Sequence, residues 1–251
     1  MANLGRVFDQ AVEEYQRGRP EYPQEAILFL AKVLKITPGT TVVDLAAGTG
    51  KFTKGLLTTG AKVIAVEPSP EMGRKLKEIL PSTEVKEGSA EKIPLPDQSV
   101  DVVTVANAFH WFETEPALKE IHRVLRPGGK LGLIWGIKDG TTSWMKELFQ
   151  LIEYEKGAIP QYMAGEWVKT VDATGLFTPL QKKVFPFVQQ APVGVMLDGV
   201  ASLSYIVAMT KKERELLLAK VKRFLLNHFR ADEKTELTMP YHADIYWAER
   251  L

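Results

Sequence analysis

The chain has 251 residues, 45% of them apolar, and its 32 Lys and Arg residues against 31 Asp and Glu residues give a net charge of +1. This balance argues against a dedicated nucleic-acid surface, which usually needs a basic excess. The sequence has no cysteine for a disulfide or a thiolate metal site. It also shows no apolar run near the ~20 residues of a membrane span and no apolar core of a secretory signal. These features predict a cytoplasmic protein without nucleic-acid or membrane partners.

Residues 1–24 precede the first regular apolar pattern and are rich in aromatic residues and proline. One interpretation is a helix that packs its aromatic side chains on the body of the protein. That helix would end near Gly18, because the residue before Pro20 tends to leave the helical region. The other interpretation is a lid over a ligand.

Between residues 25 and 137, short apolar runs alternate with stretches of helical apolar spacing. Such alternation predicts a parallel sheet with right-handed crossovers. The predicted strands are Thr41–Leu45, Lys62–Val66, Thr83–Lys86, Val100–Ala106 and Lys130–Ile137.

Beyond Ile137 the regular alternation stops. Helical spacing continues in four stretches, and two further runs are typical of strands that a proline interrupts. The predicted helices are Trp144–Glu155, Trp167–Val171, Met196–Met209 and Lys211–Phe229, and the predicted strands are Leu180–Gln189 (broken by Pro186) and Glu236–Trp247 (interrupted by Pro240).

A glycine-rich turn follows the first predicted strand, and a helix follows the turn. This order brings backbone close to a ligand at the carboxyl end of a parallel strand, where Asp44 is expected to face the same crevice. Gly48 and Gly50 can take conformations closed to other residues and leave no Cβ in the ligand's path. Glu67 closes the next strand, where a carboxylate can accept two hydrogen bonds from a ribose diol. The pair of signals predicts a nucleotide-like ligand.

Three motifs carry a resemblance to a known family: Asp44-Leu45-Ala46-Ala47-Gly48-Thr49-Gly50, then Val66-Glu67-Pro68-Ser69, then Arg126-Pro127-Gly128-Gly129-Lys130. They resemble the class I S-adenosylmethionine-dependent methyltransferases. The run from Ala106 to Phe112 is similar to a small-molecule branch that includes trans-aconitate-type carboxyl methyltransferases and fungal thiol methyltransferases. The resemblance covers nearly the whole chain and is strongest between residues 7 and 135.

The resemblance implies an α/β fold: a Rossmann-like, doubly wound, mostly parallel seven-stranded sheet with an antiparallel terminal hairpin and an inserted helical cap. It implies a single domain over residues 1–251, with a lid segment at 1–24, a cofactor-binding core at 25–137, and a substrate cap with the terminal strands at 138–251. The implied cofactor is S-adenosyl-L-methionine, and the implied reaction is methyl transfer to an oxygen, sulfur or nitrogen atom of a small molecule.

The resemblance also implies which residues bind the cofactor. Tyr15 and Arg19 match a Tyr and an Arg that approach the methionine carboxylate, which suits the bidentate fork of an arginine. Ser89 departs from the usual acidic residue at the adenine position, although its oxygen can accept one hydrogen bond. Ala46 stands where glycine is commoner, and we expect only a slightly tighter fit there. The full implied set is Tyr15, Arg19, Asp44, Ala46, Gly48, Gly50, Glu67, Pro68, Ser89, Ala90 and Asn107.

His110 is the candidate catalytic residue, because it follows the fourth strand beside the expected methyl site. It can act as a base for a weakly acidic substrate, or it can fix a loop in the pocket wall by hydrogen bonding. The predicted substrate-binding residues are His110, Trp111, Trp144 and Tyr205, and Trp167, Tyr162, Met163 and Met209 are further aromatic or Met side chains considered for a cavity. The four histidines have no metal-ligand spacing, so no metal is predicted.

Two other functions stay open at this point. A nicotinamide-dependent oxidoreductase would use the same glycine turn, but its fingerprint has glycine or alanine in place of Thr53. A non-catalytic S-adenosylmethionine-binding protein would keep Asp44, the glycines and Glu67. The acceptor atom and the oligomeric state are not determined by the sequence.

Overall fold

The structure, a computed structural model, describes residues 9–152 and 165–251, which divide into two compact units. The first unit, here called the core unit, consists of residues 21–136, 165–185 and 243–251. The second unit, here called the helical unit, consists of residues 9–20, 137–152 and 186–242. Three of the boundaries between the units fall within strands of the sheet.

The strands of the described residues form one seven-stranded sheet. They are β1 (Thr41–Leu45), β2 (Lys62–Glu67), β3 (Glu84–Glu87), β4 (Val100–Ala106), β5 (Leu125–Lys138), β6 (Gln181–Pro192) and β7 (Glu236–Glu249). Their order is β3-β2-β1-β4-β5-β7-β6, with β1 to β5 parallel and the terminal strands antiparallel. The predicted fold class is therefore confirmed.

Strand β1 lies at the centre of the parallel part because its sequence is apolar on both faces. Val42, Val43 and Leu45 are fully buried, as expected for a strand covered by helices on both sides. Leu45 pairs in register with Val66 of β2 and with Val105 of β4. The carboxyl ends of these three strands consequently meet at one edge, where the glycine turn and the loop after β4 begin.

The helices of the core unit are α2 (Gln24–Leu34), α3 (Lys51–Leu57), α4 (Pro70–Ile79), α5 (Thr114–Val124) and, after a helix of the other unit, α7 (Glu166–Ala173). Helix α4 begins as its sequence indicates: the Ser69 Oγ accepts a hydrogen bond from the Met72 backbone N–H at 3.1 Å, and Pro70 occupies the first turn. Its apolar face buries Met72 and Leu76.

The helical unit contains α1 (Val12–Gly18), α6 (Ser143–Leu151), α8 (Val193–Ala201), α9 (Ser204–Val207) and α10 (Lys211–Phe229). A reciprocal capping box of Thr210 and Glu213 starts α10. Its buried residues Val221 and Leu225 pack in one apolar cluster with residues of α6 and α8, among them Leu148 and Met196. Among the helices of the described residues, none combines the length and apolarity that a membrane crossing requires.

Four sequence-based expectations for the second half are corrected. The predicted helix Met196–Met209 is divided at Ser202, whose Oγ donates to the Gly199 carbonyl at 3.0 Å. Strand β6 runs through Pro186 without a break, since an edge strand can hold a proline whose missing N–H would face outward. Strand β7 continues through Pro240, whose carbonyl still accepts the Asp139 N–H at 2.9 Å. Helix α6 ends at Leu151, and residues 153–155 of that prediction lie outside the described residues.

Candidate active site

The turn between β1 and α3 has backbone that suits close approach to a ligand. Ala46, Gly48 and Gly50 have φ of 57°, 58° and 85°, in the left-handed region. Glycine enters this region without penalty, whereas alanine does so with strain. The expected effect of Ala46, a slightly tighter fit, is therefore joined by backbone strain that space alone does not indicate. A Cβ at Gly50 would also lie 2.8 Å from the Leu76 Cγ.

Glu67, at the end of β2, ties this turn to the start of α4. Its Oε2 accepts the Gly48 backbone N–H at 2.7 Å, and its Oε1 accepts the Ser69 backbone N–H at 2.9 Å. The side chain is buried, with 7% of its surface exposed. Because each carboxylate oxygen can accept more than one hydrogen bond, these contacts are compatible with the predicted role toward a ribose.

Asp44 is fully buried one residue before the end of β1. Its Oδ2 accepts a hydrogen bond from the Thr53 hydroxyl at 2.6 Å, whereas its Oδ1 has no hydrogen-bond partner among the residues that the structure describes. Burial raises the pKa of Asp44 to about 7; the negative charge of Glu67 adds to this rise, and the bond from Thr53 opposes it. An orphaned buried oxygen is the kind of atom that a ligand completes. The sequence had indicated Thr53 only as a departure from a dinucleotide fingerprint.

Asn107 follows β4 with φ of 54° and joins two other segments of the core unit. Its Nδ2 donates to the Tyr22 hydroxyl at 2.6 Å, and its Oδ1 accepts the Gly136 backbone N–H at 2.9 Å. The side-chain amide thus fixes the loop after β4 against the end of β5. Its predicted contact with the cofactor stays a prediction.

The remaining core-unit positions of the predicted cofactor set lie in loops after β2 and β3. Pro68 is exposed between β2 and α4. Ser89 forms an isolated antiparallel bridge with Lys92, whose N–H donates to the Ser89 carbonyl at 3.2 Å. Ala90 is buried, with 4% of its surface exposed. The loop is therefore an ordered tight turn, and its adenine contacts stay a prediction.

His110 and Trp111 belong to a single 3-10 turn, Phe109–Trp111, just after β4. The Trp135 Nε1 of β5 donates a hydrogen bond to the His110 Nδ1 at 3.0 Å. Trp135 is 1% exposed, and its ring centroid lies 4.9 Å from that of Trp167. Trp167 was among the side chains considered for a cavity, whereas no sequence pattern indicated that Trp135, 25 residues after His110, would donate to that histidine.

Tyr15 and Arg19 lie in the helical unit, where they contact each other. The Arg19 guanidinium carbon is 5.4 Å from the Tyr15 ring centroid. The Arg19 Nε donates to the Ser202 Oγ at 2.9 Å, and its Nη2 donates to the Ser202 carbonyl at 3.1 Å. Ser202 at the end of α8 thereby orients the guanidinium, and the predicted contact with a methionine carboxylate stays a prediction.

The predicted substrate residues Trp144 and Tyr205 also lie in the helical unit and pack around its apolar cluster. The Trp144 ring centroid is 5.0 Å from that of Phe229, and the Tyr205 hydroxyl donates to the Ile152 carbonyl at 2.9 Å. Met209 packs around the same cluster. Tyr162 and Met163 lie outside the described residues.

Lys138, the last residue of β5, was not indicated by the sequence because the predicted strand stopped at Ile137. It belongs to the helical unit and is 5% exposed, and its Nζ lies 5.5 Å from the Tyr241 ring centroid. Burial lowers the pKa of Lys138 to about 7, and the positive charge of Arg19 lowers it further.

Residues 43–133 match a family model described as a methyltransferase domain. An uncharacterized methyltransferase of Mycobacterium tuberculosis is 38% identical over 240 residues, which cover 95% of this chain and 93% of the relative. The chain belongs to the class I S-adenosylmethionine-dependent methyltransferases.

Two further matches extend this result. An uncharacterized methyltransferase-like protein of Schizosaccharomyces pombe is 33% identical to this methyltransferase over 247 residues, covering 98% of this chain and 96% of the relative. The solved structure of a candidate type II methyltransferase from Anaeromyxobacter dehalogenans aligns with a TM-score of 0.65 at 22% identity, covering 92% of this chain and 97% of that one. The structural match shows the shared fold.

The core unit of this methyltransferase fits its cofactor, S-adenosylmethionine. The glycine turn offers backbone without side chains at Gly48 and Gly50. Glu67 offers buried acceptor oxygens. The Asp44 Oδ1, which has no partner among the described residues, can accept a hydrogen bond from the ligand. Membership of this family also excludes the nicotinamide-dependent oxidoreductase. Thr53 agrees with this, because its hydroxyl donates to Asp44 at a position where the dinucleotide fingerprint has glycine or alanine.

Proposed function

We propose that this methyltransferase transfers a methyl group to an oxygen, sulfur or nitrogen atom of a small molecule. The observation that carries the proposal is the setting of His110, one hydrogen-bonding side chain held among the aromatic residues Trp111 and Trp135 at the loop after β4. Small-molecule sites are typically apolar surfaces with few, well-placed polar groups. The near-zero net charge also disfavours an RNA substrate.

The cofactor is held by core-unit residues in this proposal. Glu67 accepts the ribose hydroxyls, and the glycine turn lets backbone N–H groups approach. Ser89 and Ala90 contact the adenine, with Ser89 accepting a hydrogen bond through its oxygen. S-adenosylmethionine supplies an activated methyl group on a sulfonium with a good leaving group. The residues of the chain are therefore asked to align the acceptor and exclude water.

A screen with methyl-labelled S-adenosylmethionine tests the proposal. The purified protein is incubated with panels of small acids, thiols and amines, and with total RNA and a protein mixture as macromolecular arms. We expect label in a small molecule, and loss of that label in Glu67→Ala. Label only in RNA or protein would contradict the small-molecule acceptor, and tight cofactor binding with no label in any arm would favour a non-catalytic role.

A further inference from the structure

Asp44 is a buried carboxyl group beside the glycine turn, and its two oxygens have unequal surroundings. The side chain is fully buried, and its Oδ2 accepts the Thr53 hydroxyl at 2.6 Å. The Oδ1 is buried as well, yet none of the described residues gives it a hydrogen bond. An ionised carboxylate spreads its charge over both oxygens, so burying one of them without a donor costs more than burying a neutral carboxyl group. These contacts therefore favour the protonated form of Asp44.

A second carboxyl group, that of Glu67, lies close enough to act on the charge of Asp44. Both Glu67 oxygens accept a backbone N–H, from Gly48 at 2.7 Å and from Ser69 at 2.9 Å. Donors of this kind stabilise the charged form, and two carboxyl groups in one site do not ionise equally. The better-bonded Glu67 therefore keeps the charge, and the proton belongs to Asp44. In agreement with this, burial raises the pKa of Asp44 to about 7, and the charge of Glu67 adds to the rise.

The other charged side chains on the elements beside Asp44 do not change this assignment. These elements carry Lys62 and Glu67 on β2, Lys51 and Lys54 on α3, and Asp101 on β4. Both α3 lysines pair with Glu21, at 3.4 and 3.9 Å. Lys62 and Asp101 lie beside the first residue of β1, at the other end of the strand. Glu67 is thus the charged residue that acts on Asp44, and it favours retention of the proton.

Thr53, in the first turn of α3, decides which Asp44 oxygen is left for a ligand. The residue is fully buried, and its hydroxyl has one hydrogen to donate, which goes to the Asp44 Oδ2. Burial raises the pKa of Asp44, whereas the bond from the Thr53 hydroxyl and, more weakly, its backbone N–H lower it. Thr53 therefore orients the carboxyl group and keeps its proton exchangeable near neutral pH.

We infer that Asp44 carries a proton when no cofactor is bound, that it gives this proton up when S-adenosylmethionine binds, and that Thr53 is the residue positioning it. On binding, an N–H or O–H group of the cofactor donates to Oδ1, the carboxyl O–H bond breaks, and the proton leaves to the solvent. Both oxygens then have a donor, which stabilises the charged form. S-adenosylmethionine and its demethylated product, S-adenosylhomocysteine, share these donors, so either ligand should release the proton.

Calorimetry with S-adenosylhomocysteine in buffers of different ionisation heat counts the protons that binding releases. We expect the wild type to release about one proton at pH 6 and almost none at pH 8, where Asp44 has already lost its own. Over the same range the dissociation constant should fall by roughly tenfold and level off above pH 7. Asp44→Asn cannot release this proton, so it is the reference that subtracts protons released by histidines or by the amino group of the ligand.

Two substitutions at Thr53 separate positioning from packing. Thr53→Val keeps nearly the same volume but removes the hydroxyl, so the pKa of Asp44 should rise and the dissociation constant should go on falling above pH 7. Thr53→Ser keeps the hydroxyl and should return the levelling-off to the wild-type pH. If Thr53 were needed only for packing, each substitution would change the affinity by the same factor at every pH.

The proton on Asp44 is also observed directly, by carbon-13 NMR of aspartate-labelled protein. We expect one side-chain carboxyl signal, missing in Asp44→Asn, to titrate near pH 7 without ligand. With S-adenosylhomocysteine the same signal should stay at its ionised position from pH 5.5 to pH 8. In Thr53→Val its midpoint should rise, which identifies the signal even if Asp44→Asn does not fold.

Different outcomes overturn different parts of the inference. Titration of Asp44 near the ~3.9 of an ordinary aspartate in the ligand-free protein overturns the bound proton. Equal proton release by the wild type and Asp44→Asn overturns its loss on binding. A midpoint that is the same in Thr53→Val and the wild type overturns the role of Thr53. None of these measurements needs a methyl acceptor, so the labelling screen tests the proposed function separately.

Discussion

Gly50 is the N-cap residue just before helix α3, and both its backbone and its surroundings disfavour a side chain. Its φ is 85°, and a Cβ would lie 2.8 Å from Leu76 Cγ and 3.1 Å from Leu80 Cδ1. Gly39 offers a matched control, because its φ is 96° but a Cβ would meet no atom within 4 Å. Comparing alanine at the two positions separates strain in the backbone from crowding.

We expect Gly39→Ala to lower the free energy of unfolding by about 1–2 kcal/mol, the scale of left-handed strain. Gly50→Ala should cost about 1–3 kcal/mol more, because the new methyl group overpacks against Leu76. Urea denaturation of the two variants and the wild type measures both. Equal losses would mean that the leucine side chains move aside without cost.

Glu67 has a structural and a predicted ligand role, and one substitution tests both. Glu67→Ala removes the acceptor of the Gly48 and Ser69 N–H groups, so the fold should lose about 1–3 kcal/mol. Cofactor binding should weaken by a further ~1.5–3 kcal/mol, the scale of a hydrogen bond to a charged group. Calorimetry with S-adenosylhomocysteine and denaturant unfolding measure the two effects separately.

Glu87→Ala is the control, since Glu87 is exposed and lies beside Glu67 in the register of β2 and β3. It should change neither quantity. An unchanged dissociation constant in folded Glu67→Ala protein would show that the ribose is bound by other groups.

At the residue scale, the sequence could predict groups whose role follows from local order. Gly48, Gly50 and Glu67 stand at fixed offsets from strand ends, and the strand-turn-helix order alone makes them candidates. The bonds from Thr53 to Asp44 and from Trp135 to His110 could not be predicted in the same way. They depend on side-chain directions in packed neighbouring elements, which no local pattern encodes.

At the element scale, the parallel half of the sheet was predictable because each strand is a short, continuous apolar run. The prediction for β1 and β4 gave their observed bounds. The later strands were predicted with breaks at Pro186 and Pro240 that the structure does not have. A proline interrupts a strand only where its N–H is needed by a neighbour, and the sheet order that decides this is a property of the whole fold.

Helix α1 is part of the predicted lid segment 1–24, and a glycine contact holds it in the helical unit. A Cβ at Gly199 of α8 would lie 2.7 Å from the Gly18 carbonyl oxygen. The Arg17 Nε also donates to the Asp198 Oδ2 at 2.8 Å. With 7 residues, α1 is too short to be stable by itself, so its order depends on this packing.

We expect Gly199→Ala to push α1 from α8 and to speed hydrogen exchange in residues 12–18. Gly194→Ala is the control in the same helix, because a Cβ there meets no atom within 4 Å. It should leave the exchange of α1 unchanged. Equal exchange in both variants would show that the glycine contact does not hold the helix.

The lid hypothesis makes its own prediction for the same segment. Adding S-adenosylhomocysteine to the wild type should slow exchange over residues 9–20, because a lid gains order when its ligand binds. Identical exchange with and without the ligand would make α1 a static part of the helical unit.

At the scale of the whole molecule, two buried ionisable groups give stability an unusual dependence on pH. The pKa of Asp44 is raised from 3.8 to about 7, so between these values the folded state holds a proton that the unfolded state has lost. Stability from this group therefore falls as pH rises from 4 to 7. The pKa of Lys138 is lowered from 10.5 to about 7, so above pH 7 the unfolded state holds the extra proton. Stability from this group rises as pH increases from 7 to 10.

Together the two groups give a combined contribution to stability that is smallest near pH 7. Replacing Asp44 by a residue that does not titrate should remove the fall in stability below pH 7, and replacing Lys138 should remove the rise above it. The melting temperature of Asp44→Asn minus that of the wild type should grow from pH 4 to pH 7 and then stay constant. For Lys138→Met the same difference should be constant below pH 7 and shrink toward pH 10, because the wild type then sheds the buried charge. Scanning calorimetry of the ligand-free proteins across this range measures both differences. Only a change in the number of bound protons between the folded and unfolded states makes the free energy of unfolding depend on pH. If the difference in melting temperature between a variant and the wild type does not vary with pH, the pKa of the substituted group is therefore not shifted by folding, which would contradict its burial in the structure.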